Sequence, residues 1–176
     1  FVWVLTSIGL FTFWSPSLSL ALVLLFAKSI AFAGGWRVVS LFTDKNYVRI
    51  IAALVYALWP ALALAQQEGR IGSVIAQICL PWFVFALSRA AGIGKNYLST
   101  QTWSWVAVSG LLFFVIGASS PNLILILLAG LGLIALSRIR KIAYLIWIPL
   151  PLAAVFAPTV LYYIVGLFKP LALLAD

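Results

Sequence analysis

Long apolar stretches of this chain alternate with short polar clusters at intervals of about 20 residues. A helix of that length spans the hydrocarbon core of a bilayer, because each residue adds about 1.5 Å along a layer about 30 Å thick. The pattern therefore predicts an all-α fold, a polytopic bundle of transmembrane helices that are joined by the polar clusters.

The apolar stretches predict about seven spans. They cover residues 1–14, 18–36, 48–65, 71–90, 103–119, 122–137 and 142–166. The first two are separated by Pro16, because a proline disfavours helix in the residue before it. If the helix continues through this proline, residues 1–27 form one kinked span and the total is six.

All 176 residues are assigned to this single bundle. The chain contains no Met and opens on Phe1 inside an apolar run, so we expect it to be a piece of a longer protein. The missing initiator Met and the lack of a positively charged start also argue against a signal peptide at residues 1–14.

Local signals indicate how the spans begin and bend. Residues 43–46 are typical of a helix N-cap. Each proline inside a span removes a backbone donor, and lipid offers the freed carbonyl no substitute. Pro60 and Pro81 therefore predict two kinked helices that form the lip of a cavity, with simple bent packing as the alternative. Gln77 is expected to hydrogen-bond between helices. The last span is expected to be kinked at Pro149, Pro151 and Pro158.

Composition excludes a soluble domain. Apolar residues make up 65% of the chain, charged residues 8%, and the mean hydropathy is +1.20, so a water-facing surface would be one apolar patch. The net charge of +8 is expected to contact membrane lipids rather than nucleic acid, because the basic residues flank the spans. With no His and a single Cys79, neither a metal site nor a cofactor is predicted here. The oligomeric state stays open.

The distribution of Lys and Arg predicts the orientation of a multi-pass protein in the cell membrane. Alternate connectors carry eight basic residues, whereas the opposite side carries two. Since cytoplasmic loops carry the excess, the turn from Glu68 to Arg70 and the C-terminus are predicted to be extracytoplasmic. The cytoplasmic connectors are residues 37–49, 89–102 and 138–141, with Arg37, Lys45, Arg49, Arg89, Lys95, Arg138, Arg140 and Lys141; the opposite side has Arg70 and Lys169.

The outward turn is the main candidate for a binding site. Glu68 is preceded by Gln67 and followed at two positions by Arg70, and a carboxylate at a membrane surface can act as a general base or bind a cation. These three residues are predicted to contact substrate. The alternative is a solvated turn in which Gly69 permits a tight bend.

Lys28 is the other candidate, because it lies inside a predicted span. A lysine near the bilayer centre costs about 2.5–3.5 kcal/mol on insertion scales. Its ammonium group reaches towards the cytoplasmic surface or contacts a phosphate within the bundle; alternatively, the helix begins at another residue and leaves Lys28 at a membrane interface.

Three motifs lie between residues 47 and 82. An arginine-led helix, Arg49 onwards, reaches Trp59 and Pro60; the turn Glu68-Gly69-Arg70-Ile71-Gly72 follows; then comes Leu80-Pro81-Trp82. This order resembles the membrane-spanning region of large actinobacterial glycosyltransferases, in which a cytoplasmic family 2 nucleotide-sugar domain precedes a polytopic bundle. The resemblance covers most of residues 36–176, including the ending Leu173-Leu174-Ala175-Asp176.

The resemblance implies a role in cell-envelope glycan assembly: a bundle that anchors a glycosyltransferase and handles a polyprenyl-phosphate-linked glycan. It implies no catalytic residue here, because the paired Asp residues that hold metal and nucleotide sugar belong to the cytoplasmic domain. A transferase that acts outside, with Glu68 as its outward-loop acid, stays open. So do a transporter or flippase subunit for a lipid-linked sugar and a non-catalytic membrane scaffold.

Overall fold

The computed structural model of the chain describes residues 16–93, 102–137 and 142–158, which form helices joined by turns. The helices are α1 (Pro16–Val39), α2 (Asn46–Ala57), α3 (Pro60–Gln67), α4 (Ile71–Ala90), α5 (Thr102–Ser119), α6 (Asn122–Ser137), α7 (Ile142–Leu145) and α8 (150–158). These ranges contain no strand, and the predicted all-α class is confirmed for them.

Three segments are long and apolar enough to cross a membrane. They are Leu20–Val39 in α1, Asn46–Gln67 across α2 and α3, and Ile71–Ala90, which is α4. Two shorter apolar stretches are Trp103–Ser119 and Asn122–Ile134. The structure therefore supports a membrane-spanning chain, but the count of about seven spans is not confirmed. The span predicted at residues 1–14, and with it the choice between six and seven, lies outside the described residues.

The span predicted at residues 48–65 is two helices rather than one kinked helix. The backbone of Trp59 is extended (φ −56°, ψ 130°), as a residue before proline prefers, and Pro60 is the first residue of α3. The N–H of Trp59 donates to the carbonyl of Tyr56 at 3.2 Å, so the carbonyl that Pro60 frees has a partner. The predicted kink near Pro149 is also a break, because turn residues 146–149 separate α7 from α8.

Helix ends follow the polar residues of the connectors. Lys45 is the N-cap of α2, at the position predicted, but no side chain caps this helix. At the other end of this span, Gly69 has a positive φ of 66° and the N–H of Arg70 donates to the carbonyl of Ala65 at 3.0 Å. These are features of the Schellman motif, in which a glycine after the last turn lets the chain reverse. The predicted tight bend at Gly69 is confirmed.

α4 is the central helix of the described residues. It packs on α1 along one side and on α5 along the other, while α2 packs on α1. Of its span, 56% is buried, against 22% for each of the other two candidate spans. Phe83 of α4 and Phe113 of α5 are almost fully buried, with ring centroids 5.9 Å apart. Because α4 lies between α1 and α5, a substitution in α4 can alter its packing against either helix.

Candidate functional site

Among the described residues, the side chains of Tyr56, Gln66 and Trp82 donate hydrogen bonds to backbone carbonyls of a different helix. The hydroxyl of Tyr56 reaches Gln77 at 2.7 Å, Trp82 Nε1 reaches Ile30 at 3.2 Å, and Gln66 Nε2 reaches Leu24 at 3.1 Å. Because lipid competes poorly for such donors, these bonds are available to hold helices together inside a membrane. Together they connect α1, α2, α3 and α4 into one unit.

The bond from Tyr56 satisfies a carbonyl that α4 itself cannot satisfy. Pro81 has no N–H, so the carbonyl four residues earlier, that of Gln77, lacks its usual helical donor. The hydroxyl of Tyr56 supplies that donor from α2. This interhelical hydrogen bond uses the backbone carbonyl of Gln77, and the bond expected of the Gln77 side chain stays a prediction.

Two adjacent glycines of α1, Gly34 and Gly35, allow α4 and α2 to approach it closely near Pro81. A Cβ atom at Gly34 would lie 2.7 Å from Pro81 Cγ and 2.9 Å from Trp82 Nε1. A Cβ atom at Gly35 would lie 3.2 Å from the Cα atom of Ala53 on α2. The two glycines therefore allow α4 and α2 to pack against adjacent sides of α1.

An apolar groove opens between α1, α2 and α4, with a volume of about 200 Å³. We call it the apolar groove, and its lining residues are Gly35, Val38, Val39, Ala52, Tyr56, Leu80, Pro81 and Val84. Pro81 lines it and Pro60 does not. The cavity lip predicted beside the turn at residues 66–70 stays a prediction. The sequence offered no signal for the residues of α1 that form the other wall.

Basic residues lie at the α1–α2 end of the apolar groove. Arg49 is three residues before Ala52 and therefore on the same side of α2. Its side chain is 18% exposed; Nε donates to the carbonyl of Thr43 at 2.8 Å and Nη2 to Asp44 Oδ1 at 3.3 Å. Arg37 and Lys45 are exposed nearby in the chain. We call these three basic residues the basic end.

The predicted outward site is a turn, residues 66–70, which we call the polar turn. Glu68 and Arg70 form an ion pair, and their side chains are 49% and 64% exposed. Gln67 is exposed beside them, whereas Gln66 is half-buried against α1. The structure thus brings two of the predicted site residues into contact and leaves their remaining surface accessible.

Lys28 is not part of the polar turn. It lies halfway along α1 and is exposed, and no hydrogen bond or ion pair joins it to another of the residues that the structure describes. It is one helical turn, about 6 Å, from Leu24, where Gln66 anchors the polar turn to α1. The structure therefore places Lys28 on α1, outside the Glu68–Arg70 ion pair.

Metal-binding residue types do not gather within the described ranges. No group of three or more His, Cys, Asp or Glu side chains comes together there. The expectation that this chain holds no metal or cofactor stays a prediction.

Comparison of this chain with family models, with curated proteins and with solved structures returned no match. The described residues show an all-helical chain with three segments long and apolar enough to cross a membrane, and its function is inferred from the residues themselves.

Proposed function

We propose that this chain is the membrane region of a cell-envelope glycosyltransferase, which anchors the enzyme and handles a polyprenyl-phosphate-linked glycan. One observation carries the proposal: the motifs that resemble those of such enzymes meet in one packed unit. Pro60 begins α3, Gly69 closes the turn that follows, and Pro81 lies where α4 contacts α1. These three motif residues therefore each have a structural role in the same helical assembly.

Contacts at the motif termini support the same view. A Cβ atom at Gly72 would overlap the backbone carbonyl of Ser119, so the start of α4 and the end of α5 require glycine there. Trp82, the last motif residue, donates its hydrogen bond to Ile30 on α1. These motif residues therefore take part in contacts between helices.

The polar turn is the part that we assign to substrate contact. The Glu68–Arg70 pair is exposed, and such pairs contribute about 0–1 kcal/mol, so a phosphate or sugar can replace one partner at little cost. Arg70 offers a planar set of donors suited to phosphate, and Glu68 and Gln67 offer acceptors for sugar hydroxyls. Lys28 would add a positive charge for the carrier's phosphate from α1.

The orientation is part of the proposal. The α1–α2 connector carries Arg37, Lys45 and Arg49, and the polar turn lies at the other end of the span Asn46–Gln67. That placement supports two connectors on opposite sides of the membrane. The side with more basic residues is assigned to the cytoplasm.

A non-catalytic scaffold is the second candidate, and a specific observation favours it. Tyr56, Trp82 and Gln66 use their polar groups in helix packing. Polar residues with this use are typical of structural positions. The two candidates differ in whether the polar turn is needed for chemistry.

Reading the coding sequence on both sides of these residues tests the proposal first. A nucleotide-sugar domain upstream with paired Asp residues supports it, and its absence from the intact gene contradicts it. The intact protein, purified in lipid nanodiscs, is then supplied with labelled nucleotide sugars and polyprenyl phosphate. Transfer of label to the lipid fraction is the expected result, and a protein that transfers none with any common nucleotide sugar favours the scaffold.

A further inference from the structure

The apolar groove is suited to a hydrocarbon chain. The side chains that line the apolar groove are apolar except for the hydroxyl of Tyr56. That hydroxyl already donates a hydrogen bond to the carbonyl of Gln77. At about 200 Å³ the groove is smaller than the 300–1,000 Å³ that enclose a whole small-molecule ligand. It therefore fits a segment of one flexible apolar chain that lies along the helices.

The groove begins at a charged end and continues into the apolar layer. Arg49, Ala52 and Tyr56 follow one side of α2 at spacings of three and four residues. From Arg49 to Tyr56 the helix rises about 10 Å. A ligand in this groove would have its polar part beside Arg49 and its apolar part beside Tyr56 and Pro81. This order of charge and hydrocarbon is that of a membrane lipid.

The charge of the basic end determines the kind of lipid. Residues 37–49 contain three basic residues and one acid, so their net charge is +2. The basic residues are Arg37, Lys45 and Arg49, and the acid is Asp44. A guanidinium group has five N–H donors, and Arg49 uses its Nε and one from Nη2 within the described residues. The remaining donors fit a phosphate, which an arginine binds with charge-assisted hydrogen bonds.

We propose that the apolar groove binds one acyl chain of an anionic phospholipid, with the lipid phosphate held by Arg49 and the rest of the basic end. The residues that line the site come from α1, α2 and α4. The assignment does not depend on glycosyl transfer, because it uses residues at the opposite end of the span from the polar turn.

Photolabelling tests the site in the intact protein that contains these residues. The protein is placed in nanodiscs with phosphatidylglycerol or phosphatidylcholine that carry the same diazirine-bearing acyl chain, and the labelled peptides are identified by mass spectrometry. We expect label from phosphatidylglycerol on α2 near Ala52 and on α4 near Pro81. Phosphatidylcholine has the same phosphate but no net charge, so it should label these sites about fivefold less, the ratio for the attraction of one basic residue to an anionic lipid. Equal labelling by both lipids would overturn the proposal.

Two pairs of variants separate the tail and headgroup contacts. Ala52→Leu fills the groove and should abolish the label, while Ala107→Leu, on an exposed position of α5, should leave it unchanged. Arg49→Gln should remove the preference for phosphatidylglycerol. Asp44→Asn removes the acid that Arg49 contacts and should keep or raise that preference. Label that persists in Ala52→Leu refutes the groove as the site.

A competition experiment distinguishes the proposed lipid from the carrier of the proposed enzyme. Polyprenyl phosphate is added in amounts equal to the labelled phosphatidylglycerol. We expect the label at Ala52 and Pro81 to persist. Loss of label at equal amounts would assign the groove to the polyprenyl carrier and overturn the phospholipid assignment, without bearing on whether the intact protein transfers sugar.

Discussion

The hydroxyl of Tyr56 on α2 donates a 2.7 Å hydrogen bond to the backbone carbonyl of Gln77 on α4, the carbonyl that Pro81 leaves without a helical donor. The proline and the tyrosine are therefore parts of one arrangement, although they lie 25 positions apart in the chain. Where lipid cannot satisfy a free carbonyl, this bond makes the proline in α4 compatible with a membrane-spanning helix.

We expect the Tyr56 hydroxyl and Pro81 to be energetically coupled. Tyr56→Phe removes the donor and should destabilise the protein by about 1 kcal/mol, the usual loss for one hydrogen bond of this kind. In a Pro81→Ala background the backbone N–H of residue 81 can serve the Gln77 carbonyl, so the same Tyr56→Phe change should cost less. A double-mutant cycle, measured by denaturant titration of the purified intact protein, gives the difference.

Tyr47→Phe is the matched control for this cycle, because Tyr47 is 59% exposed and removal of its hydroxyl should have little effect. Equal costs of Tyr56→Phe in both backgrounds would show that the tyrosine does not act through the proline-freed carbonyl.

Gly34 should not tolerate a side chain. A Cβ atom there would lie 2.7 Å from Pro81 Cγ and 2.9 Å from Trp82 Nε1, and overpacking of this kind costs about 1–3 kcal/mol. Gly130→Ala in α6 is the control, since a Cβ atom at Gly130 meets nothing within 4 Å. It should be neutral or stabilising, because alanine favours helix over glycine. Similar thermal stability of Gly34→Ala and Gly130→Ala would contradict the close contact of α1 with α4.

Gly69 is required for its backbone conformation and not for space. Its φ is 66°, and a Cβ atom there would meet nothing within 4 Å. Gly69→Ala should therefore destabilise the turn by about 1 kcal/mol through strain alone. Gly69→Asn should cost less, because asparagine adopts the left-handed region more readily. The order glycine, asparagine, alanine in thermal unfolding midpoints is the expected result, and a reversed order for the two variants would count against it.

The sequence predicts helices best where charges and glycines mark both ends. The span predicted at residues 71–90 and the helix Ile71–Ala90 coincide, because Arg70 precedes it and Arg89 and Gly92 close it. The span at 48–65 is wrong in one respect, since a proline within an apolar run can bend a helix or begin a new one. Only the packing of the neighbouring helices decides between these outcomes at Pro60.

The sequence predicts some parts of the candidate site and not others. The polar turn follows from the charge pattern, and the freed carbonyl of Gln77 follows from the position of Pro81. The donor from Tyr56 and the wall that Gly35 and Val39 give to the apolar groove depend on which helices are neighbours. Apolar side chains of similar size carry no information on that pairing, so the groove becomes visible only in the folded chain.

The polar turn should matter for activity without affecting insertion. In the intact protein, Glu68→Gln and Arg70→Ala should each lower sugar transfer about tenfold or more, the effect of losing one charge-assisted hydrogen bond. Protein level in the membrane fraction should stay unchanged, because both side chains are largely exposed. Arg138→Ala, which removes an arginine from a connector on the predicted cytoplasmic side, is the control for loss of charge.

A charge-swapped protein, Glu68→Arg with Arg70→Glu, distinguishes substrate contact from mere pairing. The swap keeps an ion pair in the turn but exchanges donor and acceptor positions. We expect it to remain as inactive as the single variants. Recovery of full activity in the swapped protein would assign the pair a structural role and leave the turn without substrate contact.

The orientation of the polar turn can be measured with cysteine labelling. Cys79 is the single cysteine of these 176 residues, so Cys79→Ser, together with replacement of any cysteine elsewhere in the intact protein, gives a background in which a new thiol reports alone. In intact cells, Glu68→Cys should react with a membrane-impermeant thiol reagent, because position 68 is exposed and assigned to the outer side. Asp44→Cys, in the connector at the other end of the span, should react only after the membrane is broken. The opposite pattern would invert the topology, place the polar turn in the cytoplasm and remove the basis for an extracytoplasmic glycan site.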